Sequence, residues 1–313
     1  MSRARRMAIL VLGGCVACGG PEALDPSSPS AELSATAGRP SLPAKKYTLV
    51  LGHSLSFGLQ PVEDPLDATN FKTGFSMLFV RRLNALRRQP HVTEVNLACP
   101  GETTETFIHG GCFYTDVFGL PLHTAYTGPQ LTAAETFLRG HRGQVNPIIL
   151  SLSANDLLVP WFLDCALDEA CIAARIPGAE RAVAANYGLI LSRLRRLEPQ
   201  ATLLILVEYQ FPGFPETFND GVARLYARVR DAGRAHGAIL VEANPIIQRD
   251  PCRLLFICDP EVPDIHPTDA GYRALADALW EASGFERWAS GSPHRDAFPA
   301  TLASGSHARL AVP

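Results

Sequence analysis

Tyr47-Thr48-Leu49-Val50-Leu51-Gly52-His53-Ser54 decides how this chain folds. It is a short, apolar, β-rich run that stops at a glycine and is followed almost at once by a serine. A second strand is read at 92–97, and apolar runs recur at 147–152, 201–207 and 238–241. Helical periodicity fills the intervals, at 76–86, 130–142, 182–197, 218–236 and 268–286. Apolar strands alternating with helices predict a parallel sheet covered on both faces. Right-handed crossovers then give an α/β fold, a three-layer α/β/α sandwich with a sheet of about five strands. In such sheets ligands bind beyond the carboxyl ends of the strands. Ser54, Gly101 and Asn155 each follow one of the first three strands, so the topology brings them to one edge.

Four segments carry the chemistry: Gly52-His53-Ser54-Leu55-Ser56, the run 96–104 (Asn-Leu-Ala-Cys-Pro-Gly-Glu-Thr-Thr), Ser153-Ala154-Asn155-Asp156 and Asp264-Ile265-His266-Pro267. A serine nucleophile needs a base within hydrogen-bond reach. His266 is the candidate, on a loop before the last helix, which Thr268 or Asp269 caps. The Gly101 N–H and the Asn155 amide are candidate donors to a developing oxyanion. Read singly, Ser54 and Asn155 also suit helix caps, and Gly101 suits a turn after Pro100. Phe57 follows Ser54, and Leu157 and Trp161 follow Asn155. They are expected to line an apolar substrate pocket, the alternative being ordinary core. No His-Glu-x-x-His, phosphate-cradling glycine loop, dinucleotide fingerprint or Gly-x-Ser-x-Gly elbow occurs, so no cofactor or metal is expected.

The chain has 313 residues, 47% of them hydrophobic, and a net charge of −3. That composition supports one sizeable core and gives no electrostatic case for nucleic-acid binding. Arg3, Arg5 and Arg6 precede the short apolar run Met7 to Leu12 and then Gly13-Gly14-Cys15-Val16-Ala17-Cys18. Residues 1–18 read as a targeting segment, too short to span a bilayer permanently. The cysteines suggest a bacterial lipoprotein signal lipidated at Cys15 or Cys18, the alternative being an ordinary cleaved secretory signal. Residues 19–45 read as a flexible linker, 46–289 as the folded domain and 290–313 as a disordered tail. Cys99, Cys112, Cys165, Cys171, Cys252 and Cys258 remain in the mature chain. An even number in an exported protein points to disulfides. Many connectivities are open, and the sequence-local one is Cys99–Cys112, Cys165–Cys171 and Cys252–Cys258.

The four segments, in this order over roughly 47–286, resemble the blocks of the SGNH (GDSL-type) hydrolase superfamily. The resemblance implies a flavodoxin-like sandwich and metal-free hydrolysis of esters, acyl groups or thioesters. It implies Ser54 as nucleophile and, through its N–H, part of the oxyanion hole; Gly101 and Asn155 complete the hole, and His266 is the base. Some members carry three disulfides. The chain departs from the family pattern in three places. His53 stands where aspartate is usual, Ser153 stands where glycine is usual, and Pro263 occupies the usual place of the triad acid. Asp264 is the nearest acid; either it orients His266 or a backbone carbonyl does. His53 either bonds to Ser54 and its neighbours or is a satisfied, partly buried histidine.

The resulting expectation is an extracytoplasmic serine esterase or lipase acting as a monomer on a small-molecule or lipid ester. Its membrane contact would run only through an N-terminal lipid anchor. The competing expectations are an inactive lipoprotein that binds an acylated or glycan ligand in the same cleft, and a carbohydrate acetylesterase.

Overall fold

The computed structural model describes residues 43–86 and 90–286. The targeting segment with Cys15 and Cys18, the linker up to residue 42 and the tail lie outside the described residues. Five strands form one sheet: β1 (Tyr47–Gly52), β2 (Thr93–Asn96), β3 (Val145–Ser151), β4 (Leu203–Val207) and β5 (Ile239–Glu242). Every pairing is parallel and the order is β2-β1-β3-β4-β5. This is the flavodoxin-like order, with its switch point between β1 and β3. Every residue of β3 and β4 is buried, as expected for central parallel strands.

The helices are α1 (Ser54–Phe57), α2 (Phe75–Ala85), α3 (Thr104–His109), α4 (Phe113–Asp116), α5 (Gln130–Gly140) and α6 (Asn155–Leu163), followed by α7 (Glu169–Leu197), α8 (Glu216–Ala235), α9 (Asn244–Ile247), α10 (Pro251–Leu254) and α11 (Asp269–Ser283). The step from β1 to β2 runs one way along the sheet and the later steps run the other way. Right-handed crossovers therefore put α2 on one face and α5, α7 and α8 on the other. Helix α11 packs on α2, and α7 packs on α8. No helix among the described residues is long and apolar enough to cross a membrane.

Two details differ from the sequence expectation. Helix α7 begins at Glu169 rather than 182, with Pro177 inside it. Its first turns hold because Asp168 accepts from the Cys171 N–H at 2.6 Å and because Ile172 and Ile176 are buried. Pro43–Lys45 belong to the packed unit: Ala44 is buried, and Asn146 bonds the Pro43 carbonyl at 2.7 Å. Of the two cap candidates, Thr268 is the one that caps α11, accepting from the Gly271 N–H at 3.2 Å. The three disulfides take the sequence-local pairing, Cys99–Cys112, Cys165–Cys171 and Cys252–Cys258.

The carboxyl ends of β1 and β3 meet too closely for a side chain. Gly52 has φ +122°, and a Cβ there would lie 1.9 Å from the Ser151 carbonyl oxygen. Two residues beyond β3's end, Ser153 adopts φ +137°, a region that disfavours every residue but glycine. Its hydroxyl is buried and unpartnered among the described residues. Strain of this kind costs about 1–3 kcal/mol, and an unmade buried bond adds to it. Ser153→Gly removes both, offset by about 0.5–1 kcal/mol of extra chain entropy in the unfolded state. We expect that variant to melt about 2–4 °C higher in scanning calorimetry. A lower melting temperature would show that Ser153 is not strained.

Candidate active site

Ser54 opens α1 at the carboxyl end of β1 and is 8% exposed. It is not the cap of that helix. His53 is the cap, its Nδ1 accepting from the Leu55 N–H at 3.3 Å. Ser54 is thus left as the first helical residue with its hydroxyl free for another partner. That partner is His266, whose Nε2 lies 2.8 Å from Ser54 Oγ. On the far side of the ring, His266 Nδ1 lies 2.5 Å from Asp264 Oδ1, and the same oxygen accepts from the His266 N–H at 2.7 Å. A carboxylate two residues before the histidine therefore fills the orienting place, with no backbone carbonyl in that role. With Nδ1–H donating to Asp264, Nε2 is left to accept the Ser54 proton. Burial, the largest single influence on Asp264, pushes its pKa up. The His266 charge and the bonds to its ring and backbone outweigh burial and hold the carboxyl below its usual range.

The loop that carries His266 is tied down from several sides. The Phe256 N–H donates to the His266 carbonyl at 3.0 Å, and the Asp264 N–H donates to the Phe256 carbonyl at 3.2 Å. The Tyr209 hydroxyl donates to the Ile265 carbonyl at 2.8 Å, and Leu255 bridges Pro267 in antiparallel fashion. The Cys252–Cys258 disulfide closes the segment that supplies Leu255 and Phe256.

Three N–H donors are candidates to receive an oxyanion beside this pair. No acceptor among the described residues takes the Ser54 or Gly101 N–H. Asn155 spends one amide hydrogen on the Glu102 carbonyl at 3.0 Å, which seats its amide against the residue after Gly101 and leaves the second hydrogen available. Gly101 holds φ +83°, and a Cβ there would lie 3.3 Å from Phe113 Cβ and 3.9 Å from its ring carbon Cδ1.

Polar side chains turned inward lock the three segments together. Gln130 accepts from the Gly52 N–H at 2.7 Å and donates to the Gly52 carbonyl at 3.0 Å and to Glu102 Oε2 at 2.9 Å. Asp156 accepts from the Thr104 N–H at 2.9 Å and from its hydroxyl at 2.5 Å. Glu208, just after β4, reaches both His53 and the turn before Asn155. Loss of water raises Asp156 to about 7 as the largest cause, opposed by the Thr104 bonds and assisted by Glu208. Burial raises Glu102 to about 7 as well, against its bonds to Thr106 and Gln130.

The profile of the GDSL-like Lipase/Acylhydrolase family matches residues 50–274. The chain belongs to this family. None of the curated proteins compared with the chain matches it. Solved structures share the fold. LAE5, an alpha/beta hydrolase enzyme from the metagenome of Lake Arreo, Spain, is 15% identical. The match covers 79% of this chain and 98% of that one, with a TM-score of 0.54. The extracellular lipase of Streptomyces rimosus is 17% identical over 75% of this chain and 100% of its own, with a TM-score of 0.51. Axe2, an acetylxylan esterase from Geobacillus stearothermophilus, is 14% identical over 78% and 97%, with a TM-score of 0.53.

Within this GDSL-like framework the three departures have local answers. His53 supplies a ring nitrogen as the cap, Ser153 takes up a conformation suited to glycine, and Asp264 reaches the histidine from one residue nearer than usual. The expected pocket wall needs correction. Phe57 and Leu157 are fully buried, and Trp161 stacks on Phe218 at 4.5 Å. Phe57 packs edge-on to Phe71 at 5.1 Å. Following a site residue in sequence does not place a side chain in the cleft, because one helical turn points it into the core. The aromatic beside the site is Phe113, next to Gly101, with Phe118 edge-on to it at 4.8 Å. Gln130 and Glu208 were not singled out by the sequence. Glu208 carried one signal, an acid at the end of an otherwise apolar strand.

The raised Asp156 carboxyl makes stability depend on pH. Folded Asp156 keeps its proton up to about pH 7, whereas an unfolded aspartate releases it near about 4. Between these values the folded protein binds more protons, so its stability falls as pH rises. Asp156→Asn cannot titrate, and it keeps both Thr104 contacts when its oxygen accepts from the Thr104 N–H and the Thr104 hydroxyl turns to accept from its amide N–H. Its melting temperature should therefore fall less between about pH 5 and 8 than that of the wild type. Parallel curves for the two proteins would locate the proton elsewhere.

Proposed function

We propose that this family member hydrolyses carboxylic esters through an acyl-enzyme formed on Ser54. The relay of Asp264, His266 and Ser54 at 2.5 and 2.8 Å is the observation that carries the reading. Ser54 Oγ attacks the ester carbonyl carbon and passes its proton to His266 Nε2. Asp264 steadies the imidazolium. The carbonyl electron pair moves onto oxygen, which the Ser54 and Gly101 N–H groups and the Asn155 amide receive. Each such donor typically contributes about 2.7–4 kcal/mol to the transition state. Collapse of the tetrahedral intermediate breaks the bond to the leaving alkoxide, which takes the proton from His266. Water, deprotonated by the same histidine, then releases the acid and restores Ser54.

Turnover is favoured over binding alone because none of the departures opens a gap in the relay. The three disulfides support an exported protein, in keeping with the cysteine and signal pattern of the N-terminus.

Hydrolysis of p-nitrophenyl esters from acetyl to palmitoyl tests this reading. Ser54→Ala should lower kcat by roughly 10⁴-fold or more and Asp264→Asn by roughly 10³–10⁴-fold, both variants remaining folded. Turnover surviving in Ser54→Ala would sink the proposal.

A further inference from the structure

We infer that His53 and Glu208 form a positioning bridge that holds the nucleophile turn and the oxyanion turn in one frame. The inference rests on the hydrolase reading above. Both residues are 2% exposed. His53 Nε2 lies 2.9 Å from Glu208 Oε1. The Leu55 N–H points at His53 Nδ1, so Nδ1 is the acceptor and Nε2 carries the hydrogen donated to Glu208. Glu208 Oε2 accepts from the Ala154 N–H at 2.9 Å, and Oε1 also takes the Ser151 hydroxyl at 3.3 Å. One carboxylate thereby joins the residue before Ser54 to the residue before Asn155.

Neither group touches the reacting atoms, so the bridge acts through geometry. His53 does two jobs with two nitrogens, and each can be removed alone. Asparagine at 53 keeps a cap acceptor near the Nδ1 place but is too short to reach Glu208. Glutamine at 53 reaches toward Glu208 but offers no cap. Glu208→Gln has one carbonyl oxygen for the two N–H donors, so either His53 or Ala154 meets an amide N–H instead of an acceptor. Each change lets the serine hydroxyl or the Asn155 amide drift. A displacement on the order of 1 Å at a reacting centre costs about 100-fold in rate.

The test is steady-state kinetics on a p-nitrophenyl ester for wild type, Ser54→Ala, His53→Asn, His53→Gln, Glu208→Gln and the double variant His53→Asn/Glu208→Gln, with melting curves for each. We expect each single positioning variant to lose about 10–100-fold in kcat with KM changed less than about threefold. The double variant should be no worse than the poorer single, since both break one bridge. Singles whose kcat stays within about twofold of wild type, or losses that multiply in the double, would overturn the bridge. If Glu208→Gln fails to fold, His53→Asn decides alone, because it retains the cap. Wild-type protein without Ser54-dependent turnover would overturn the hydrolase reading and this inference together. Ser54-dependent turnover that ignores the position 53 and 208 changes overturns the bridge only.

Discussion

The active edge depends on one close contact between parallel strands. At the carboxyl ends of β1 and β3 the Gly52 backbone lies against Ser151, and the His53 N–H donates to the Ser151 carbonyl at 3.1 Å. A side chain at 52 would push the strands apart. Their approach sets the distance between the turn that carries Ser54 and the turn that carries Asn155. The strand order then brings β2 alongside β1, so the Gly101 loop joins the same edge. The turns that carry Ser54, Gly101 and Asn155 share one sheet edge because the sheet switches direction there.

Strand ends alone would leave these turns loosely placed. The inward polar side chains correct this. Gln130 joins the first segment to the second, Asp156 the second to the third, and Glu208 the first to the third. An unpaired polar group in such a place costs free energy, so a network of this kind stands only when its members are bonded to one another. That requirement turns three flexible loops into one frame. His266 comes from a fourth loop, braced by Tyr209, Phe256 and a disulfide, and its ring meets the frame at Ser54 Oγ.

The sequence made the frame legible where physics is local. Strands such as 147–152 are apolar but for Ser151, and their helices carry a 3.6 period, so layers and strand number could be read directly. The order of Ser54, Gly101, Asn155 and His266 relative to those strands followed. What escaped depends on long-range pairing or backbone torsion. The partner of His53 lies 155 residues away and that of Gly52 lies 78 away, with no local pattern naming either. The torsion at Ser153 leaves no mark in composition. The helical pattern was read only from 182, although buried Ile172 and Ile176 carry the helix through Pro177 from Glu169. Phe57, Leu157 and Trp161 were misplaced because nearness in sequence to a catalytic residue says nothing about which side of a short helix faces the cleft.

The central claim is that Ser54 and three separately anchored donors surround one reacting carbonyl. A crystal structure of the protein after reaction with an alkyl fluorophosphonate tests it most directly. The account predicts phosphorus bonded to Ser54 Oγ and one phosphonyl oxygen within about 2.7–3.1 Å of the Ser54 N–H, the Gly101 N–H and the Asn155 amide. An adduct on another residue, or a phosphonyl oxygen turned away from these donors, would contradict it.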